Sequence, residues 1–218
     1  MKLRHRVHGT LDADSFMQVG ARASRDIMAI LKDADRDLSS FTGVLDFGCG
    51  CGRVLRYLRG RTQSRFHGTD IDPEAIAWCR AHLPGLAQWD VNSHEPPLRY
   101  QAGAFDLIYA VSVFTHLDEA RQFTWLEELR RVTKPGGLLI LTVHGAAYDG
   151  KVAMPERGIL HKVRKTGMFR PGGLPDYYQS TYHTQRYVEN EWSRFFTIRD
   201  YRERGMNNHQ DAVLLRRD

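Results

Sequence analysis

The chain has 218 residues, of which 42% are hydrophobic and 26% charged, and a formal net charge of +5 at pH 7. This length suits one α/β domain with a buried core, and the composition argues against a disordered chain. The three cysteines lack metal-ligand spacing, and no apolar run reaches the length of a membrane span or follows the basic N-terminus as a signal peptide would require. We therefore expect a reduced, cytoplasmic protein, a monomer or a homodimer, without a membrane segment. The mild positive charge permits an anionic partner without requiring one.

The N-terminal region is predicted to be helical. Residues 1–13 have no pattern, whereas apolar residues recur with helical spacing from 14 to 38, interrupted by Gly20. One or two amphipathic helices that pack on a sheet explain this pattern.

A glycine turn follows a short apolar strand. Residues 44–47 predict a buried strand, a helix opens near Arg53, and alternate glycines lie between them: Gly48, Gly50 and Gly52. A strand that enters a helix through glycines places backbone N–H groups and the helix N-terminus beside a ligand. The dinucleotide fingerprint needs a small residue where this chain has Arg53. The carboxylate of Asp46 suits a ligand with an ammonium or sulfonium group better than a pyrophosphate.

The second predicted strand, 65–70, ends in an acid. Asp70 lies about 20 residues after Gly48, the offset at which an acid binds ribose hydroxyls in nucleotide-binding sheets. The alternative is that Asp70 only caps the following turn. We favour ribose binding, because Asp72 and Pro73 already form a helix start.

The remaining elements complete an α/β pattern. They are strands at 86–91, 104–112 and 138–143, helices capped by Asp118 and Thr184, and a terminal hairpin with strands at 196–201 and 212–215. One strand of a terminal hairpin must run against an otherwise parallel sheet.

The motif Asp46-Phe47-Gly48-Cys49-Gly50-Cys51-Gly52 resembles motif I of the class I S-adenosylmethionine (SAM) dependent methyltransferases. The start of the fourth strand at Phe105-Asp106, the Lys-Pro-Gly-Gly turn at 134–137 and the terminal hairpin are similar to other landmarks of this family. The resemblance covers about 16–143 and 184–217. It implies a single domain over 1–218 with a Rossmann-like doubly wound seven-stranded sheet, mostly parallel with an antiparallel C-terminal hairpin strand. It also implies SAM as the cofactor.

The resemblance also assigns the cofactor site. An acid at the position of Asp90 approaches the adenine amino group in this family. N-terminal helices cap the cofactor in the family, and here they would lie within 1–40, with 16–22 as the expected cap. The residues expected to bind the cofactor are Asp46, Gly48, Cys49, Gly50, Gly52, Asp70, Ile71, Asp90, Val91, Val111 and Ser112.

Residues 145–183 form a long insertion that we interpret as a substrate lid. It is rich in basic residues and then in aromatic ones, and it follows the carboxyl end of a central strand, where such sheets bind ligands. The basic residues favour an acidic group on the substrate. The alternative is a solvated charged excursion.

Methyl transfer from a sulfonium needs alignment, exclusion of water and, for a protonated acceptor, a base. Histidine titrates in the useful range, so His144 is the first candidate. The other candidates are His116, His183, Tyr182 and Tyr148.

Motifs that are absent from the sequence reduce the range of expected substrates. The fourth strand ends in Ala110-Val111-Ser112-Val113, without the Asn/Asp-Pro-Pro-Tyr sequence of enzymes that resemble the DNA-adenine and glutamine methylating families. There is no Pro-Cys pair for covalent pyrimidine chemistry and no acid at the end of the fourth strand for a magnesium site. We therefore expect no metal.

We predict a methyltransferase that acts by direct displacement on an oxygen or nitrogen of a small, acidic molecule. The sequence argues against a nucleic-acid substrate, because no basic groove interleaved with aromatic residues is readable. Three alternatives remain: an RNA or protein methyltransferase that docks through the basic lid, a non-catalytic SAM-binding subunit, and a nicotinamide-dependent oxidoreductase. Arg53 and the terminal hairpin oppose the last.

Overall fold

The computed structural model of the protein describes Leu3, Val7, residues 11–162 and residues 179–218. The strands are β1 (Gly43–Phe47), β2 (Arg65–Asp70), β3 (Gln88–Val91), β4 (Phe105–Ala110), β5 (Thr133–Val143), β6 (Ile159–Lys162), β7 (Ser180–His183), β8 (Thr197–Met206) and β9 (Gln210–Arg216). The α-helices are α1 (Ala13–Asp33), α2 (Leu55–Leu58), α3 (Pro73–His82), α4 (Glu119–Val132) and α5 (Gln185–Trp192).

The predicted seven-stranded sheet is confirmed. Its order is β3-β2-β1-β4-β5-β9-β8, with β1 to β5 parallel and β9 antiparallel to both β5 and β8. The carboxyl ends of β1, β4 and β5 therefore lie side by side, at the edge where parallel sheets bind ligands.

Both faces of the sheet are covered, as the continuous apolar strands require. Ile27 of α1, Leu55 of α2 and Ile76 of α3 belong to the apolar cluster on one face. Leu126 of α4 and Val188 of α5 belong to the cluster on the other.

Side-chain caps start the longer helices, because the first turn of a helix has unpaired N–H groups. The carboxylates of Asp12, Asp72 and Asp118 and the hydroxyl of Thr184 each accept a hydrogen bond from first-turn backbone N–H groups. The caps predicted at the last three positions are confirmed.

Some element boundaries differ from the prediction. Helix α1 continues through Gly20, β5 already includes the turn sequence at 134–137, and β8 extends to Met206. The expected long loop after β5 contains the antiparallel pair β6–β7, so Tyr182 and His183 lie on a strand.

Helix α1 continues through Gly20, and a close contact with Arg53 requires a glycine at this position. A Cβ atom at this position would lie 2.4 Å from the Arg53 carbonyl oxygen and 2.8 Å from the Arg53 Cγ atom. The absence of a side chain thus lets α1 press against the residue that follows the glycine turn.

Every helix in 11–162 and 179–218 is too short or too polar to cross a bilayer.

Replacing Gly20 by alanine should lower the free energy of unfolding by about 1–3 kcal/mol through overpacking. In a helix, alanine is more favourable than glycine by about 1 kcal/mol. A lower stability of the variant would therefore come from the steric contact with Arg53. Urea unfolding measures the change. The matched control is Gly60→Ala, where a Cβ atom meets nothing within 4 Å. Equal midpoints for the two variants would contradict the close packing of α1.

Candidate functional site

The glycine turn joins β1 to the helix that follows it. Gly48, Gly50 and Gly52 all have positive φ, at 77°, 51° and 68°. A Cβ atom on Gly48 would lie 2.3 Å from a Val113 methyl carbon. Both the left-handed backbone and the close approach therefore require glycine at position 48.

Asp46 is a buried acid at the end of β1. Its side chain is 3% exposed, and its Oδ2 atom is enclosed without a hydrogen-bond partner among the described residues. Its pKa is raised to about 7, mainly by burial and also by the negative charge of Asp70, while the Tyr109 hydroxyl and the Arg53 guanidinium oppose the shift. A buried carboxylate oxygen without a partner is costly, and an ammonium group would satisfy it. The site therefore fits the amino-acid end of SAM.

Asp70 holds the glycine turn in place. One carboxylate oxygen accepts from the Gly50 N–H at 2.7 Å and the other from the Asp72 N–H at 2.9 Å. The capping role, proposed from the sequence as the alternative, is thus observed. Each carboxylate oxygen has two acceptor positions, so ribose binding is compatible with these contacts and stays a prediction.

The end of β3 forms the other side of the expected cofactor site. The Asp90 carboxylate accepts from the Tyr100 hydroxyl at 3.1 Å and pairs with Arg99 at 3.0 Å. The adjoining Val91 is 40% exposed, and Ile71, after β2, is half-buried. A pocket of about 140 Å³ lies here, lined by Thr69, Val91, Asn92, Ser93, Pro97, Leu98, Arg99 and Tyr100. Its apolar and amide groups suit a heteroaromatic ring.

Two expected cofactor residues follow β4. Val111 is buried, and Ser112 has a φ of 64°, which is unusual outside glycine and costs conformational energy. The Ser112 N–H donates to the Thr142 hydroxyl at 2.8 Å, and the Gln210 amide donates to the Ser112 hydroxyl at 2.8 Å. Neighbouring strands thus hold the strained residue at the sheet edge.

A ring cluster lies beyond the carboxyl ends of β4 and β5. His144, at the end of β5, has its ring centroid 4.8 Å from Tyr148, 5.4 Å from Tyr182, 6.2 Å from His116 and 6.3 Å from His209. We call these five residues the ring cluster. Four of the five residues named as candidate bases, His144, His116, Tyr182 and Tyr148, are members, and His183 is not.

His144 is suited to act as a neutral base. Burial, together with the nearby His116 and His209, lowers its pKa to about 4, and the Thr181 backbone opposes the shift. Its Nδ1 atom is enclosed without a partner among the described residues. An acceptor can therefore meet this ring only through Nε2.

His183 points away from the ring cluster. Its Nε2 atom lies 2.9 Å from the Gln122 side-chain nitrogen on α4, and its ring packs near Tyr187 and Trp192 of α5. Burial lowers its pKa to about 3. Tyr182 and His183 are adjacent on β7, so their side chains face opposite sides. The Tyr182 ring packs on the His144 ring, whereas His183 contacts His144 through its backbone N–H, which donates to the His144 carbonyl at 2.8 Å.

The predicted lid is described only in part. Arg157 pairs with Glu119 at 2.6 Å, and the Lys151 ammonium donates to the Ala147 carbonyl at 2.9 Å. The other basic and aromatic residues on which the lid prediction depends lie outside the described residues: Arg164, Lys165, Phe169, Arg170, Tyr177 and Tyr178.

His209 was missed by the sequence analysis. It follows β8 in a polar turn, and only the position of β9 beside β5 brings it to the cluster. Its one sequence signal is that it ends the predicted turn before the last strand of the sheet.

Among the residues that the structure describes, no group of three or more His, Cys, Asp and Glu side chains is arranged to bind a metal ion. All three cysteines are free and buried.

Residues 44–137 match a family model described as a methyltransferase domain. The chain is similar to tocopherol O-methyltransferase, chloroplastic, from Arabidopsis thaliana (26% identity, covering 74% of this chain and 51% of the relative). It is also similar to malonyl-[acyl-carrier protein] O-methyltransferase from Hahella chejuensis (30%, covering 59% and 47%). A third relative is tRNA (carboxymethyluridine(34)-5-O)-methyltransferase from Arabidopsis thaliana (34%, covering 51% and 26%). The chain thus spans about half or less of the length of these relatives.

Solved structures share the fold. The PH0226 protein from Pyrococcus horikoshii OT3 superposes with a TM-score of 0.66 at 17% identity, covering 98% of both chains. An S-adenosylmethionine dependent methyltransferase from Mesorhizobium loti gives a TM-score of 0.62 at 16% identity, covering 88% of this chain and 98% of the other.

Asp46→Asn should change how stability depends on pH. The pKa of Asp46 is about 7 in the folded protein and about 3.9 in an unfolded chain, so between these values the folded state holds an extra proton. Wild-type stability should therefore fall, relative to the variant, by about 2 kcal/mol as the pH rises from 5 to 7. Urea unfolding at several pH values measures this difference. The control is Asp33→Asn, which changes an exposed carboxylate that pairs with Arg202. Identical pH profiles for wild type and Asp46→Asn would contradict the conclusion that burial raises the pKa of Asp46.

Proposed function

We propose that this chain is a class I S-adenosylmethionine-dependent methyltransferase that transfers a methyl group to an oxygen or nitrogen of a small molecule by direct displacement. The observation that supports this most is the location of the ring cluster. It lies at the carboxyl ends of β4 and β5, near the end of β1, where Asp46 and the glycine turn would hold the cofactor.

The cofactor would lie along the carboxyl edge of β1 to β4. We propose that Asp46 binds its ammonium group, that the glycine turn approaches its backbone, that Asp70 binds the ribose hydroxyls, and that Asp90 and Val91 contact the adenine. When bound, SAM supplies a methyl group on a sulfonium that is already activated for displacement. The protein must align the acceptor and exclude water.

His144 would take the proton that a protonated acceptor loses. Its low pKa keeps the ring neutral at pH 7, as a general base requires. A weak base suffices, because an oxygen or nitrogen that is gaining a methyl group becomes strongly acidic. The enclosed Nδ1 atom leaves Nε2 to face the acceptor.

Oxygen is the favoured target. All three relatives named above are O-methyltransferases by name. The ring cluster also offers hydroxyl and imidazole groups that can hydrogen-bond a hydroxyl acceptor. An acidic group elsewhere on the substrate, inferred from the basic lid, is part of the proposal.

Helix α1 and the β6–β7 pair would exclude water. The Phe16 ring lies 5.9 Å from the Arg53 guanidinium carbon, which places α1 over the residue after the glycine turn. Tyr182 of β7 forms an isolated parallel bridge with His144. We propose that α1 caps the cofactor and that 145–183 covers the acceptor, within one domain of a cytoplasmic protein.

An RNA substrate is the second candidate, because one relative is named for a tRNA nucleoside. Binding of RNA would weaken steeply with salt. A small-molecule enzyme would bind its acceptor with little change over the same range.

Purified protein should bind S-adenosylhomocysteine, measured by calorimetry, and should not bind NADH. Asp70→Asn should weaken this binding at least tenfold, because the carboxylate positions the Gly50 N–H and accepts from the ribose. Asp33→Asn should bind like wild type. The cofactor assignment fails if NADH binds and S-adenosylhomocysteine does not.

His144→Gln should reduce kcat about 10²–10⁴-fold, the contribution of a positioned base, while S-adenosylhomocysteine affinity stays unchanged. Single-turnover transfer from labelled SAM to an acceptor measures the step. The control is His82→Gln, which changes a histidine exposed on α3. Full activity in His144→Gln would remove His144 from the chemistry.

A further inference from the structure

We propose that Tyr148 and His209 form a proton-exit pair that carries the acceptor's proton from His144 to solvent, and that the methylated group is therefore a hydroxyl that enters with its proton. This inference rests on the proposed function. It goes further, because it assigns roles to two residues outside the cofactor site and excludes a carboxylate as the methylated group.

The pair is joined by a hydrogen bond. The Tyr148 hydroxyl lies 3.0 Å from His209 Nε2, and the Tyr148 ring lies 4.8 Å from the His144 ring. His144 is buried, Tyr148 is half-buried and His209 is exposed. The three side chains thus form a path from the buried end of β5 to the surface.

Buried contacts hold both ends of the path. One Asp211 carboxylate oxygen accepts from the Ala146 N–H at 2.9 Å and from the Tyr201 hydroxyl at 2.7 Å, and the other accepts from the Arg204 N–H at 2.8 Å. Asp211 therefore ties the turn that carries Tyr148 to the hairpin that carries His209. Such a rigid support is what a proton-transfer geometry requires.

His144 needs a partner that can pass the acceptor's proton on to solvent. Burial disfavours its charged form, and its Nδ1 atom has no contact with solvent. A proton taken from the acceptor must leave before the next turnover. An exposed imidazole can pass a proton to water, and His209 is the exposed histidine of the ring cluster.

The proposed step is balanced. The acceptor oxygen forms a bond to the methyl carbon, the bond from this carbon to sulfur breaks, and the electron pair stays on sulfur. The acceptor proton moves to His144 Nε2. After the methylated product has left, that proton moves through one bridging water to the Tyr148 oxygen while the Tyr148 proton moves to His209 Nε2, and His209 releases one proton to water. A carboxylate acceptor has no proton to lose and would not need this path.

The competing interpretation is that Tyr148 and His209 only support the packing of the hairpin. The two interpretations differ for His209→Gln, because a glutamine amide can keep the hydrogen bond to Tyr148 but cannot accept a proton. The other ionisable groups around the path are His116, Tyr182, Tyr201, Arg204 and Asp211. All of them are retained in this variant.

The test uses the full chain, with 4-hydroxybenzoate, which combines a hydroxyl with an acidic group, as the hydroxyl probe and benzoate as the carboxylate probe. Wild type should methylate 4-hydroxybenzoate at its hydroxyl and leave benzoate unchanged. His209→Gln and Tyr148→Phe should each lower kcat about 10²-fold at low buffer concentration, with KM and S-adenosylhomocysteine affinity unchanged. Added imidazole should restore kcat in His209→Gln, because a soluble base replaces the missing proton acceptor.

Wild-type kcat and no imidazole effect in His209→Gln would overturn the proton path. Methylation of benzoate, or of neither probe by a chain that binds S-adenosylhomocysteine, would overturn the hydroxyl assignment. Failure to bind S-adenosylhomocysteine would instead contradict the proposed function. The ¹⁵N shifts of the His209 ring, with and without Tyr148→Phe, test the hydrogen bond without any ligand; unchanged shifts would overturn the pair.

Discussion

The Asp70 carboxylate is the contact on which the geometry of the glycine turn, the proposed cofactor site, depends. It joins the end of β2 to the Gly50 N–H in the turn after β1 and to the Asp72 N–H at the start of α3. The end of β2, the start of α3 that directly follows it and a turn 20 residues earlier in the chain thus share one anion. Because the turn consists of glycines in left-handed conformations, it has little stiffness of its own, and a charged acceptor at 2.7 Å determines where its N–H groups point.

Burial determines the charge states around this site. Asp46 has a raised pKa and His144 and His183 have lowered ones, and in each case the largest cause is removal from water. The site therefore contains a carboxyl group that needs a cationic partner and imidazoles that stay neutral. This combination suits a cationic cofactor on one side and a protonated acceptor on the other.

The direction of the antiparallel strand β9 explains why His209 belongs to the ring cluster. It pairs with β5, so the turn before it lies beside the end of β5. A sheet that continued in parallel would place the start of its next strand at the opposite edge. The reversed strand thus brings His209 and Gln210 to the carboxyl edge, where Gln210 contacts Ser112 and His209 contacts Tyr148.

The sequence by itself determined the alternation of strands and helices and the caps at Asp72, Asp118 and Thr184, and it singled out Asp46, the glycines and Asp70 as predicted cofactor residues. These features depend on local signals: apolar runs, alternate glycines, and polar caps within a few residues of the helices that they start. Only the tertiary structure decided that Gly20 continues a helix, that His183 faces Gln122 and not His144, and that His209 joins the ring cluster. These outcomes depend on contacts between segments separated by 30 or more residues along the chain, such as Gly20 with Arg53 and Tyr148 with His209. Local periodicity has no information about such contacts, because they are created by the order and direction in which the strands assemble.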